Sequence, residues 1–185
     1  MFGHEFESRH LHYLYKTLFF MRKIIITESQ LKEIVKGMFK VYMMVGIPGS
    51  GKSTWCKQNH PDLPVVSRDI IRAELGFTKN ADEKVVLTRE QEDLVTQHEY
   101  AKMKEYCNKK QSFIVDDTNT GYFRAKLIEF LHSNGAYVIG VNINTPLDVC
   151  IRRREGQIPA EAMQRIFSRK VDLKPEEVDD IINVS

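Results

Sequence analysis

The chain has 185 residues, of which 42% are hydrophobic and 28% charged, and it carries a formal net charge of +2. That length supports one compact domain with a substantial core and leaves little room for a second. The mild charge argues against a general nucleic-acid coat, so any polynucleotide contact must be local. The three cysteines, Cys56, Cys107 and Cys150, are far apart and form no C-x-x-C pair. This speaks against a disulfide framework and a zinc cluster and suits a reducing compartment.

Residues 1–22 mix histidine, aromatic and charged residues without a clear period. The run "LHYLYKTLFFM" is broken by His12 and Lys16 and is not followed by a small-residue cleavage site, so it reads as non-secretory. No stretch is long and apolar enough to cross a bilayer. His10 and His12, in an unpatterned tail, read as solvated and not as a metal site. Then "TESQLKEIVKGM" (27–38) gives a clear helix signal. Thr27 and Gln30 make a capping box, Leu31, Ile34, Val35 and Met38 share one face, and Gly37 suits the end. Residues 1–37 are therefore read as an extension with one amphipathic helix, packed on the domain or serving as a docking tag, and Met21 and Met38 are alternative start sites.

From residue 38 to 185, buried strands alternate with helices. Strands are expected at "VYMMVGI" (41–47), "LPVVS" (63–67), "SFIVDD" (112–117), "AYVIGVNI" (136–143) and "IINV" (181–184). Helices are expected after the glycine loop, near 69–75, over 89–108 behind a Thr88–Gln91 capping box, and near 121–134, 146–153 and 159–170. The pattern predicts an α/β fold with a parallel sheet of about five strands flanked by helices.

"GIPGSGKSTW" (46–55) fits G-x-x-x-x-G-K-[ST] and sits between an apolar strand and a helix, as a P-loop should. Its glycines let the backbone N–H groups of Gly46, Ile47, Pro48, Gly49, Ser50 and Gly51 (proline excepted) wrap phosphates, with Thr54 just beyond. Lys52 is expected to reach the β- and γ-phosphates of ATP, and Ser53 to hold Mg²⁺. The near match to the guanine-reading N-K-x-D, "NKKQ" at 108–111, lacks the aspartate and precedes a strand, so adenine is expected.

The second strand runs into "VVSRDIIR" (65–72). At the carboxyl edge of a parallel sheet, Asp69 is placed to take a proton from an attacking hydroxyl, and Arg72, three residues on, to contact a phosphate. The plainer reading makes Ser67 or Asp69 a helix cap. The third strand ends in "VDDTNT", where Asp116 or Asp117 suits Mg²⁺ and turn chemistry is the alternative. "CIRRREGQIP" (150–159) places three arginines between two helices, as a lid over ATP or as a solvated basic helix end.

In this order, the glycine loop, "SRDIIR", "DTN" and the arginine segment leading to "IP" resemble the kinase domain of bacteriophage polynucleotide 5′-hydroxyl kinases, within the P-loop kinase superfamily. The resemblance covers roughly residues 38–185. It implies that Lys52 and Ser53 bind ATP and metal, that Asp69 is the general base, and that Arg72 binds acceptor-side phosphate. It also implies that Asp117 lines the site and that a lid arginine contacts ATP. Arg153 and Arg154 compete for the lid role, because the segment before the proline is shorter than the family pattern. The phosphatase motif D-x-D-G-T does not occur in the chain, which implies a kinase half with a separate phosphatase or ligase partner. A cytoplasmic setting in a bacterium or phage-infected cell is also implied.

Three functions follow from the residues: transfer to a 5′-hydroxyl of DNA or RNA, transfer to another hydroxyl (a modified DNA base, a tRNA-linked group or a small molecule), or ATP-dependent binding without transfer. The stretch 76–92 and the helix after it are expected to wall the acceptor site.

Overall fold

The structure is a computed structural model, and it describes residues 27–78, 86–121 and 123–185. The readings of residues 1–26, His10 and His12 among them, and of residues 79–85 in the expected acceptor wall lie outside these.

The first helix, α1 (Glu28–Lys36), begins on the expected capping box. Thr27 Oγ1 accepts from the Gln30 N–H at 3.2 Å, and Gln30 Oε1 accepts from the Thr27 N–H at 2.8 Å. Val35 and Met38 rest against the core, while Ile34 remains exposed. The helix is thus packed on the sheet by one edge of its apolar face.

The next elements are β1 (Lys40–Val45), α2 (Lys52–Asn59), β2 (Val65–Val66), α3 (Arg68–Glu74) and α4 (Arg89–Asn108). They are followed by β3 (Phe113–Val115), α5 (Arg124–Ser133), β4 (Tyr137–Ile143), α6 (Leu147–Arg153), α7 (Ala160–Ser168) and β5 (Asp180–Val184). The five strands form one sheet in the order β2-β3-β1-β4-β5. All four pairings are parallel, with Met43 opposite both Val115 and Gly140. The predicted α/β architecture is observed: a five-stranded parallel sheet between helices, the P-loop NTPase fold.

Period-2 alternation divides the core between the two faces. Val41, Met43, Val45, Phe113, Val115 and Val138 face α4 and α5. Met44, Ile114, Ile139 and Val141 face the α1–α2 side, with Cys56 and Trp55. A smaller cluster of Ile47, Cys150, Ile158 and Met163 ties the glycine loop to α6 and α7. On β4, Gly140 leaves room for Leu173: a Cβ there would lie 2.3 Å from Leu173 Cδ2.

The central strands are the long ones, and the edge strand β2 is shorter than its apolar run. β3 ends at Val115; the Asp116 N–H still donates to the Val66 carbonyl of β2 at 2.9 Å, and the chain then leaves the sheet at its carboxyl edge. α5 starts at Arg124, three residues later than expected, where the Arg124 N–H donates to the Gly121 carbonyl at 3.2 Å. A short 3₁₀ turn, Pro175–Glu177, precedes β5 and is too brief to give a periodic signal.

All three cysteines are buried and free. Burial pushes the Cys56 thiol up to about 12, with the Asp116 charge adding to it, and burial also raises Cys107 and Cys150. Since the thiolate is the nucleophile, none of the three should react with iodoacetamide in the native protein at neutral pH. All three should react after denaturation. Mass spectrometry of labelled peptides reads this directly, and rapid native labelling of Cys56 would contradict the packing under α2.

Candidate active site

The glycine loop leaves β1 at the centre of the sheet and enters α2. Gly49 and Gly51 have φ of 81° and 102°, a region that glycine enters without the cost of a Cβ. Space forbids a side chain as well: a Cβ on Gly49 would meet the Cys150 carbonyl oxygen at 2.8 Å. The loop is tied to its surroundings from three sides. The Gly46 N–H donates to the Thr118 carbonyl at 3.0 Å, Thr145 Oγ1 donates to the Ser50 carbonyl at 2.7 Å, and Arg153 Nη1 donates to the Gly49 carbonyl at 3.2 Å.

Lys52 opens α2 and folds back over the loop, where its Nζ donates to the carbonyls of Gly46 and Ile47 at 3.0 and 3.2 Å. Ser53, in the first turn, is exposed. Burial lowers the Lys52 ammonium below the ordinary lysine range. Asp116 and Asp117 oppose that shift, Arg154 adds to it, and Asp69 opposes it more weakly. Residues from β1–α2, the ends of β2 and β3, and α6 therefore act on one ammonium. The sequence named each of them separately, and the sheet order brings them together.

At the end of β2, Ser67 is the N-cap position of α3, although its side chain makes no capping bond. Asp69 does not cap either. Its side chain is 64% exposed, and its Oδ1 accepts from Arg72 Nη1 at 2.7 Å. The capping oxygen comes from the neighbouring strand: the Arg68 N–H donates to Asp117 Oδ1 at 3.1 Å.

Asp117 faces the start of α3 and the Glu99 carboxyl of α4. Burial first, and the Glu99 carboxylate second, push Asp117 well above the usual carboxylate range. Its Oδ2 is enclosed and makes no hydrogen bond. Of the two aspartates at the end of β3, Asp116 acts more strongly than Asp117 on the Lys52 ammonium. Asn119, with φ of 46°, ties the segment to β1 by donating Nδ2 to the Met44 carbonyl at 2.9 Å.

On the other side of the loop, the three arginines separate. Arg152 pairs with Asp148 at 3.2 Å in solvent. Arg153 reaches the Gly49 carbonyl. Arg154 packs its Cγ against Gly49 and donates Nη1 to Gln157 Oε1 at 2.8 Å. Both of the expected lid arginines therefore lie on the phosphate loop. Among the described residues no group of three or more His, Cys, Asp or Glu could cage a metal ion.

The AAA domain family matches residues 41–170, most of the chain and the whole of this site. The chain belongs to the AAA domain family. Among curated proteins, none matches it in sequence. Solved structures resemble this AAA domain in fold. A chain of the Pnkp1/Rnl/Hen1 RNA repair complex is 22% identical with a TM-score of 0.59, over 71% of this chain and 44% of that one. This chain thus spans less than half of that relative's length. A sugar kinase from Janibacter is 17% identical with a TM-score of 0.55, over 79% of this chain and 84% of that one. The Mycobacterium tuberculosis APS kinase CysC, solved with AMPPNP and APS, is 18% identical with a TM-score of 0.54, over 79% and 88%. At these identities the likeness is one of fold. No helix among the described residues is long and apolar enough to cross a membrane.

Two buried groups in this AAA domain escaped the sequence reading. The first is on α4. Glu99 occupies the same inward stripe as Val95, Met103 and Cys107, and it is buried with them. A charged residue in an apolar stripe was the available signal. The second is Arg124. Its guanidinium is buried, binds both Glu177 oxygens at 2.9 and 3.0 Å, and donates to the carbonyls of Asn119, Val171 and Asp172. It fastens the D-T-N loop to the segment leaving α7. Nothing in "RAKLIEFLH" distinguishes it from a surface arginine at a helix start.

Proposed function

We propose that this chain is an ATP-dependent phosphotransferase that moves the γ-phosphoryl group to an acceptor hydroxyl, and that the acceptor is the 5′ end of a DNA or RNA strand. One observation carries the reading. Asp69, an exposed carboxyl in the first turn of α3, rises from the same carboxyl edge of the parallel sheet as the glycine loop. A base and a phosphate site at one locus suit transfer; a nucleotide switch needs no such carboxylate.

In this reading the backbone from Gly46 to Gly51, with Lys52, Ser53 and Thr54, holds the phosphates. The cradle fits such a ligand, since Lys52 now donates to carbonyls that a phosphate oxygen would replace as its partner. Mg²⁺ would neutralise charge on the phosphates, with Ser53 and Asp116 or Asp117 as the chain's own groups beside it. Asp69 takes the proton of the attacking hydroxyl. The new bond forms between that oxygen and the γ-phosphorus, the β–γ bridging bond breaks, and ADP leaves. Arg153 and Arg154 bear on the phosphate side and Arg72 on the acceptor side. The kinase unit is residues 38–185, with 1–37 an added segment, and a phosphatase or ligase acts as a separate partner on the same strand ends.

The fold leaves the acceptor open, because a sugar kinase and an APS kinase match it as well as the RNA repair chain does. The polynucleotide reading is supported by R-D-x-x-R with the D-T-N segment beside it. The second reading, transfer to another hydroxyl, is favoured by those two small-acceptor kinases, each matched over 79% of this chain. Labelled γ-phosphate offered with 5′-hydroxyl DNA, 5′-hydroxyl RNA, modified-base DNA, nucleosides and sugars tests both. Label on the 5′-hydroxyl strands is expected. Label confined to another acceptor moves the function to the second reading, and nucleotide turnover or binding without transfer to any acceptor removes the kinase.

A lid implies a change on binding. Amides of 152–158 should exchange more slowly with an ATP analogue present, as Arg153 and Arg154 close on phosphate. Hydrogen exchange read by mass spectrometry checks this, and equal exchange in both states counts against the lid.

A further inference from the structure

Every N–H of the Arg124 guanidinium is used inside the protein. Nε and Nη2 donate to the two oxygens of Glu177 at 2.9 and 3.0 Å, and Nη2 donates also to the Asp172 carbonyl at 3.0 Å. Nη1 donates to the carbonyls of Asn119 and Val171 at 3.1 and 2.8 Å. A guanidinium carries five donors in a rigid planar fork, and here five acceptors meet them. The residue is 4% exposed. A charge buried this deeply adds little stability over a well-packed apolar side chain. What it adds is a fixed place for the oxygens around it.

The D-T-N loop is the piece it grips, and each residue of that loop is tied to a different element. Asp117 Oδ1 accepts from the Arg68 N–H at the start of α3. The Thr118 carbonyl accepts from the N–H of Gly46, the first glycine of the phosphate loop, at 3.0 Å. Asn119 donates Nδ2 to the Met44 carbonyl of β1 at 2.9 Å. The Thr120 carbonyl accepts from the Val171 N–H at 2.8 Å. One side of the loop is thus bound to β1 and the phosphate loop, and the other to the segment that leaves α7. Asn119 has φ of 46°, a backbone that a non-glycine residue keeps only where its surroundings hold it. The Nη1 bond to its carbonyl is one of the bonds that do so.

We infer that Arg124 is a positioning residue for the nucleotide: it fixes the D-T-N loop against the segment leaving α7, and through the Thr118 carbonyl it sets the start of the phosphate loop. The inference rests on the reading of the glycine loop as the ATP site. Arg124 touches no ligand; it acts through Thr118 and Asn119. With the grip loosened, the Gly46 N–H loses a fixed acceptor, and the loop must be ordered by the nucleotide instead of meeting it already ordered. A site ordered by its ligand binds more weakly than one ordered beforehand.

The test uses the full chain and the analogue AMPPNP with Mg²⁺, titrated by calorimetry below the melting temperature of every variant. Arg124→Lys keeps the charge and loses the fork. Its dissociation constant for AMPPNP is expected to rise by about tenfold to 10²-fold, the usual effect of displacing a site by ~1 Å from a distance. Leu131→Ala is the comparison for stability alone. Leu131 lies on the same helix, α5, and is fully buried in the core. Its truncation should lower the melting temperature and leave the AMPPNP dissociation constant as in the wild type.

An unchanged AMPPNP affinity in Arg124→Lys, or an equal loss in Leu131→Ala, would each overturn the inference. If Arg124→Lys does not fold, Glu177→Gln decides, since it keeps Arg124 in place and removes the charge of its partner. Weaker AMPPNP binding by that variant supports the positioning role, and unchanged binding overturns it. If the wild-type chain does not bind AMPPNP, the ATP reading itself fails, and this inference falls with it. That outcome is told apart from a failure of Arg124 alone, in which the wild type and the variants bind AMPPNP alike.

Discussion

Lys52→Ala is expected to abolish phosphoryl transfer, lowering turnover by at least about 10³-fold. Removing one neutral donor from a site of developing charge costs ~10²–10³ in kcat, and Lys52 contributes a full positive charge at the β- and γ-phosphates. ATP affinity should fall with it. The fold should not. Lys52 makes only two bonds to loop carbonyls, those of Gly46 and Ile47, and its ammonium is already disfavoured by burial. Its removal therefore relieves a desolvated charge at the expense of two hydrogen bonds, two effects of similar size and opposite sign. Melting temperature, calorimetric ATP affinity and kcat on one preparation separate these quantities. Turnover near wild type would sink the assignment of the glycine loop as the nucleotide site.

The loop was legible because its chemistry is local. Gly46, Gly51, Lys52 and Ser53 must occur at fixed spacing for the backbone to close on a phosphate, and the spacing survives in the sequence. The capping boxes at Thr27 and Thr88 were legible for the same reason, since donor and acceptor are three residues apart. What the sequence hid depends on pairs far apart along the chain. Asp116 and Asp117 were read as metal candidates because they follow an apolar strand, and that reading said nothing of the other contacts of Asp117. Its actual partners, the Arg68 N–H and Glu99, lie on other elements, and only the β2-β3 adjacency brings them to it. Arg124 likewise gains its meaning from Val171, Asp172 and Glu177, some fifty positions later. Glu92, which accepts from both Arg68 and Arg72, was harder still: its side chain sits at the edge of α4, partly exposed, where a solvated glutamate is the ordinary expectation.

Asp69→Asn should leave a folded, ATP-binding protein whose kcat is reduced by about 10²–10⁴, the usual worth of a positioned base. The structure removes the main competing role for this residue. A capping aspartate would accept from N–H groups of the first turn of α3, and its loss would cost ~1 kcal/mol. Here Ser67 occupies the N-cap position and Asp117 Oδ1 receives the Arg68 N–H, while Asp69 makes its bond to Arg72 across one turn. That bond is an exposed i,i+3 ion pair, of the kind that contributes ~0.5 kcal/mol or less, and asparagine retains an oxygen to accept from Arg72. Stability is therefore expected to change little. Acceptor KM should also change little, since Arg72 keeps its bonds to Glu92. The deficit belongs in kcat, because only the carboxylate takes a proton. If the variant binds ATP, melts normally and transfers phosphate to a 5′-hydroxyl strand at the wild-type rate, no base acts at position 69. Transfer would then have to proceed without Asp69, and R-D-x-x-R would serve acceptor binding through Arg72 alone.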